Sequence, residues 1–116
     1  MDFFESAEFK KEFKKLAKKY PSLYDDLETL KKTIAASPTG SGSKHWNILK
    51  HDGDSKFIMK MRMMCRSVKG SQFRVIYSYD GKQVGVVFIE VYFKGNKELE
   101  DRMRVEKYFA EMSETK

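Results

Sequence analysis

Apolar and polar residues alternate between Phe57 and Arg66, which is the pattern of a β-strand with one face on a core. The apolar face would consist of Phe57, Met59, Met61, Met63 and Cys65. The opposite face would carry Lys60, Arg62 and Arg66 with no acid among them, although neighbouring like charges repel. A second alternating run places Arg74 on the same side as these cations. The pattern therefore predicts a sheet with one apolar face and one cationic face that suits an anionic ligand.

Helical spacing is found on both sides of this predicted sheet. Residues 6–20 carry an apolar stripe that follows the N-cap candidate Ser6, and Pro21 ends the helix. A second stripe consists of Leu23, Leu27, Leu30 and Ile34. We expect these two helices to form an antiparallel hairpin on the apolar face of the sheet. A third, charged helix is predicted from residue 97 to residue 112, with contacts from Leu99, Met103, Tyr108, Phe109 and Met112.

The other segments predict strands and turns. Residues 1–4 suggest a short edge strand, residues 46–50 a second strand, and residues 84–94 the most β-prone run. In that run, alternation predicts one face formed by Val87, Ile89, Val91 and Phe93, and another formed by Val86, Phe88, Glu90, Tyr92 and Lys94. Loops are expected at residues 37–43 and 67–71. The order predicts one α+β domain over residues 1–116, with an N-terminal helical hairpin packed on a small antiparallel sheet and a C-terminal helix.

The net charge of +6 lies almost entirely on the predicted sheet. Residues 37–95 hold 10 Lys and Arg against 4 acids, whereas both helical flanks are nearly balanced. A polyanion is therefore the expected ligand of the sheet, and the lysines of the first helix are expected to form a solvated face. One cysteine and two separated histidines indicate neither a disulfide nor a metal site. The sequence also lacks a membrane span or signal peptide, so we expect a cytoplasmic protein.

Several segments together resemble the RelE/ParE superfamily of toxins from bacterial type II toxin–antitoxin systems. The resemblance includes Lys-Lys-Tyr-Pro-Ser-Leu at 18–23, Met-Lys-Met-Arg at 59–62, Phe-Arg-Val-Ile-Tyr at 73–77, Phe-Ile-Glu-Val-Tyr-Phe-Lys at 88–94 and Lys-Glu at 97–98. It implies a ribosome-dependent mRNA endonuclease that needs no metal or cofactor, because the ribose 2′-OH attacks the adjacent phosphate. It also implies an antitoxin protein as partner in a hetero-oligomer, with ribosome and mRNA as the other partners and no membrane.

The resemblance also indicates candidate site residues. Lys60 and Arg62 match the basic residues of the central strand, Arg74 matches the arginine of the Phe/Tyr-Arg-x-x-Tyr motif, and Lys94 lies near a basic position after the last strand. Where the family pattern has an Arg and a catalytic Tyr, Gly-Asn-Lys-Glu at 95–98 intervenes here, so Tyr92, Tyr108 or neither could serve. Arg66, Lys69 and Lys97 are candidate RNA-binding residues.

Metal-free cleavage of a phosphodiester requires cations that stabilise the charge developing on the phosphate. It also requires a base for the 2′-OH and an acid for the leaving oxygen. Lys60, Arg62, Arg74 and Lys94 could supply the cations. A lysine or Glu90 could be the base if its pKa moved toward neutrality, although Glu90 could simply pair with Arg62 or Arg74. Two alternatives remain open: a ParE-like toxin that binds a protein target such as DNA gyrase, and a catalytically silent antitoxin-binding member.

Overall fold

A computed structural model describes residues 1–40, 44–70 and 72–114, with side chains to residue 112. Its elements in chain order are β1 (Asp2–Glu5), α1 (Ala7–Lys19), α2 (Leu23–Ala36), β2 (Trp46–Asp52), β3 (Lys56–Met63), β4 (Phe73–Asp80), β5 (Gly85–Phe93) and α3 (Arg102–Glu114). The predicted loops include residues 41–43 and 71, which lie outside the described part. Within the described ranges, no helix is long and apolar enough to cross a membrane.

The five strands form one sheet in the order β1-β5-β4-β3-β2. Strands β2 to β5 follow one another as an antiparallel meander, which confirms the predicted order. However, β1 pairs with β5 in parallel, so the prediction of a purely antiparallel sheet is wrong. A four-residue run carries no signal for the direction of its pairing. The pairing extends just beyond β1, where the Ser6 backbone N–H donates a hydrogen bond to the Phe88 carbonyl at 3.0 Å.

Helices α1 and α2 both cover the predicted apolar face. The Ser6 hydroxyl caps α1 by accepting a hydrogen bond from the Phe9 N–H at 3.1 Å. Phe9 is fully buried and stacks on Phe88 of β5, with 5.2 Å between ring centroids. Helix α2 buries its predicted stripe of leucines and Ile34 in the same core, which also contains Met59 and Met61. The antiparallel pairing of the two helices with each other stays a prediction.

A β-bulge in β5 changes the faces of this strand. Ile76 pairs with Glu90 but the next residue, Tyr77, pairs with Phe88, so Ile89 is the extra residue. Val86, Phe88, Val91 and Phe93 therefore all contribute to the core under α1 and α2, while Ile89 packs elsewhere. The predicted grouping of Val87, Ile89, Val91 and Phe93 on one face is wrong, because strict alternation cannot continue through a bulge.

The second face of the sheet is partly apolar, and α3 covers that part. Ile58, Ile76 and Ile89 form a small cluster there with Val105 of α3. The helix begins at Arg102 instead of the predicted residue 97. Of the predicted contacts, Tyr108, Phe109 and Met112 pack on the cluster, but Leu99 and Met103 are exposed. The face predicted to be cationic is therefore cationic only where α3 does not cover it.

Candidate functional site

Three site candidates lie side by side near one end of the three central strands of the sheet. Arg62 of β3 is the register partner of Arg74 on β4, and Arg74 is the partner of Tyr92 on β5. The Arg62 side chain is exposed, whereas Arg74 is only 8% exposed. Two like charges directly opposite each other destabilise an antiparallel pair. This row, called the Arg–Arg–Tyr row below, therefore concentrates positive charge to which an anion would be attracted.

Arg74 is the more constrained of the two arginines. Its guanidinium donates a hydrogen bond to the Phe73 carbonyl at 3.1 Å, which fixes the side chain close to its own strand. Burial lowers the pKa of Arg74, and the neighbouring Arg62 lowers it further. Arg74 is still a cation, because an arginine remains protonated in proteins. Hydrogen bonds from its guanidinium to a bound phosphate would offset part of the free-energy cost of burying the charge.

Lys60 lies one row from Arg62 on the same face and forms an ion pair with Glu100. The Lys60 Nζ is 2.9 Å from Glu100 Oε1, and the two side chains are 15% and 10% exposed. Burial lowers the pKa of Lys60, but the hydrogen bond to Glu100 and the proximity of Tyr92 outweigh burial, so the pKa is raised. This shift is opposite to the one that a lysine base needs. Lys60 is suited to be a fixed cation.

The Tyr92 side chain is 5% exposed and ends in a buried hydroxyl. Among the described residues, no group reaches this hydroxyl with hydrogen-bond geometry, although the Lys60 ammonium is close enough to stabilise a phenolate. Burial raises the pKa of Tyr92 and outweighs the effect of Lys60. The hydroxyl therefore stays protonated at neutral pH and is chemically a proton donor. The Lys97 ammonium lies 5.4 Å from the centroid of its ring.

Glu90 is fully buried and does not pair with Arg62 or Arg74, so that expectation is wrong. Its Oε2 forms an ion pair with Lys97, and its Oε1 accepts a hydrogen bond from the Asp101 N–H at 2.8 Å. Residues 94–101, between β5 and α3, fold back to reach it. Because both carboxylate oxygens are used and no part of the side chain is exposed, Glu90 fits a structural role better than that of a base.

Two further candidates are held by other elements. Arg66 forms ion pairs with Asp25 at 3.1 Å and Asp26 at 3.3 Å, both on α2. The Tyr108 hydroxyl donates a hydrogen bond to Glu8 at 2.9 Å and so joins α3 to α1. Burial raises the pKa of Tyr108. The structure therefore brings neither side chain into the Arg–Arg–Tyr row.

The remaining basic candidates are exposed. Lys69 lies in the turn between β3 and β4, and Lys94 follows β5, where its backbone N–H bonds to the Gln72 carbonyl at 2.8 Å. The Lys97 side chain is 41% exposed even though it pairs with Glu90. These positions are compatible with contacts to a long polyanion. The sequence interpretation missed Glu100, because the charged segment 97–101 was assigned to a helix, which hid its proximity to Lys60.

A groove of about 570 Å³ lies between α2 and β3, and Arg62 is the residue of the Arg–Arg–Tyr row that lines it. Its walls include Leu30 of α2, Trp46 of β2 and Met61 of β3. The Trp46 indole N–H is fixed by a hydrogen bond to the Tyr77 hydroxyl at 2.9 Å. A cationic row and an apolar groove with an indole therefore share one residue, Arg62.

Known structures provide one informative comparison. No protein-family model matches the sequence, and no curated protein matches it either. The chain is similar to a solved structure, the archaeal RelE–RelB complex from Pyrococcus horikoshii OT3, with a TM-score of 0.60 and 16% sequence identity. The match covers 81% of this chain and 94% of the other. Because that protein is archaeal, the narrower resemblance to bacterial systems stays a prediction, and the comparison shows that this chain has a RelE-like fold.

Proposed function

We propose that this protein is the toxin of a toxin–antitoxin pair and that it cleaves mRNA on the ribosome. The observation that carries the proposal is the Arg–Arg–Tyr row next to Lys60, which brings three cations and a protonated phenol together on one face of the sheet, with Arg62 exposed and the other three side chains largely buried. A polyanion with regularly spaced phosphates suits this charge, and the adjacent groove with Trp46 offers a surface on which a base can stack.

In the proposed reaction, a ribose 2′-oxygen attacks the adjacent phosphorus and the bond from phosphorus to the 5′-oxygen breaks. Arg62 and Arg74 bind the phosphate oxygens and stabilise the charge that develops on them. The neutral Tyr92 phenol donates a proton to the departing 5′-oxygen. The 2′-OH proton leaves to solvent, since Lys60 is held protonated and Glu90 is buried. The products are a 2′,3′-cyclic phosphate and a 5′-OH.

The proposal includes partners. The similar solved structure is a complex of RelE with RelB, and by this likeness we propose an antitoxin protein as the partner of this chain. The ribosome and a translated mRNA complete the set, and the proposed location is the cytoplasm. The basic residues outside the row, Lys69, Lys94 and Lys97, would contact RNA phosphates without sequence preference.

One observation favours a second candidate function. The Tyr92 hydroxyl is buried and Lys60 is already paired with an acid. If this arrangement persisted in every state of the protein, the row could not reach a scissile phosphate. The protein would then be a ParE-like toxin that binds a protein target, or a silent member that binds only an antitoxin.

The test is induced expression followed by mapping of new mRNA 5′ ends on translated and untranslated messages. Arg62→Glu is the informative variant, because this side chain is exposed and reversal of its charge leaves the core intact. Lys82→Glu, an exposed cation in the turn between β4 and β5, is the matched control. The proposal expects cuts in translated codons that Arg62→Glu abolishes and Lys82→Glu leaves. Growth arrest without cuts would refute the nuclease, and an absence of arrest would favour the silent member.

A further inference from the structure

The carboxylate of Glu100 occupies a place that a phosphate would need. It is 2.9 Å from the Lys60 ammonium, and both side chains are largely buried at this contact. The same carboxylate is close enough to Tyr92 to raise the pKa of its hydroxyl. Glu100 therefore neutralises one of three cations at the site and at the same time faces the proposed proton donor.

The segment that carries Glu100 does not depend on this ion pair for its position. Lys97 and the Asp101 N–H both bind the buried Glu90, on either side of Glu100 in the chain. Glu100 itself precedes the first residue of α3, so no regular element fixes its side-chain direction. Rotation of the Glu100 carboxylate away from Lys60 would leave the contacts of residues 97 and 101 with Glu90 in place.

We propose that Glu100 is a built-in competitor for the phosphate site, a proposal that rests on the function proposed above. In the resting protein its carboxylate holds Lys60, the cation next to Tyr92. A phosphate carries the same single charge as the carboxylate, so exchange of one for the other on Lys60 gains little by itself. An RNA that is already bound to Arg62 and Arg74 presents its next phosphate at high effective concentration and displaces Glu100.

Competition by Glu100 makes the site selective for RNA over isolated anions. An isolated anion meets a lysine that is already paired and gains only the Arg62–Arg74 contacts. An RNA strand with several suitably spaced phosphates makes these contacts and then an additional ion pair with Lys60.

The test measures binding of a single-stranded RNA with 2′-O-methyl riboses, which cannot be cleaved, from 50 to 300 mM NaCl. Glu100→Gln removes the competitor, and Glu98→Gln is the control, since Glu98 is an exposed acid two residues away. We expect Glu100→Gln to bind several-fold more tightly than Glu98→Gln. Its slope of log K against log salt should be steeper by about 0.7, because one more cation becomes available to the strand. Glu100→Asp keeps the charge and should stay near the wild type.

Equal or weaker binding by Glu100→Gln than by Glu98→Gln would overturn the proposal. Inorganic tripolyphosphate, measured in the same buffers, separates this failure from a failure of the proposed function. Tighter tripolyphosphate binding by Glu100→Gln without RNA binding by any variant would support the competitor and refute the nuclease. Thermal unfolding of each variant verifies that the comparison is between folded proteins, and Glu100→Ala, which removes the same carboxylate, replaces Glu100→Gln if that variant fails to fold.

Discussion

Replacement of Arg62 by Gln should stabilise the fold while it weakens binding to RNA. Arg62 and Arg74 are directly opposite in the β3–β4 register, and burial of Arg74 prevents it from moving away into solvent. Like charges in such a pair oppose folding, whereas the same two charges would attract a phosphate. A substitution that raises stability and lowers RNA affinity would indicate that the charge of Arg62 serves ligand binding and not folding.

The expected gain in stability follows from this geometry. A directly opposed like-charged pair costs about 0.2–1 kcal/mol, and a glutamine keeps most of the side-chain volume. For a domain of this size the gain corresponds to a rise of about 1–5 °C in Tm. Because Arg62 is exposed, the gain should shrink as the Debye length falls from about 10 Å at 0.1 M salt to about 3 Å at 1 M.

The assay is thermal and urea unfolding of the wild type and Arg62→Gln at 0.05 and 1 M NaCl, with RNA binding measured on the same samples. Lys82→Gln is the control for a general loss of positive charge, since Lys82 is exposed in the turn between β4 and β5. A Tm that falls in Arg62→Gln, or a gain that does not depend on salt, would refute the idea that the two arginines repel each other. A gain of the same size in Lys82→Gln would assign it to net charge alone.

Three other changes test the site and the fold. Tyr92→Phe removes a buried hydroxyl without a hydrogen-bond partner among the described residues, so urea unfolding should show no loss of stability, while cleavage falls by about 10²–10⁴-fold if the phenol is the acid. Phe88→Ala empties the aromatic centre between Phe9 and β1 and should lower the free energy of unfolding by about 3–5 kcal/mol; a loss below 1 kcal/mol would contradict the packing. Burial raises the pKa of Glu12 in spite of its ion pair with Arg104, so its contribution to stability should fall as pH rises through that pKa. Urea unfolding of Glu12→Gln should lack this part of the pH dependence, and an unchanged profile would show that Glu12 is not its source.

The alternation of residues determined more of the structure than the charge pattern did. The faces of β3 and β4 were predictable because their pairing is regular from Lys56 to Met63, and Arg62 and Arg74 lie together as a result. The faces of β5 were not, because an inserted residue at Ile89 has no sequence signal in a run that is apolar on both faces except at Glu90. The core residues of α1 and α2 were predictable because apolar residues three or four positions apart lie on one face of a helix.

The ion-pair partners of charged residues were less predictable, because they depend on the path of the loops through the folded structure. Glu90 looked available to Arg62 because they lie on the same sheet, yet Lys97 reaches it from a segment that the pattern assigned to a helix. The same error hid Glu100, whose position depends on the return of residues 94–101 across the sheet. A basic face could thus be inferred from sequence, but the acid that neutralises part of it could not.

The parallel pairing of β1 with β5 has a consequence for synthesis of the protein. Ser6 bonds to Ile89 across a sequence separation of 83 residues. At about 5–20 residues per second, a ribosome needs several seconds to supply the partner of this first strand. Until then Phe3 and Phe9 lack the Phe88 ring on which they pack. Such long-range contacts slow folding, so the nascent chain passes through a period in which its proposed active surface is incomplete.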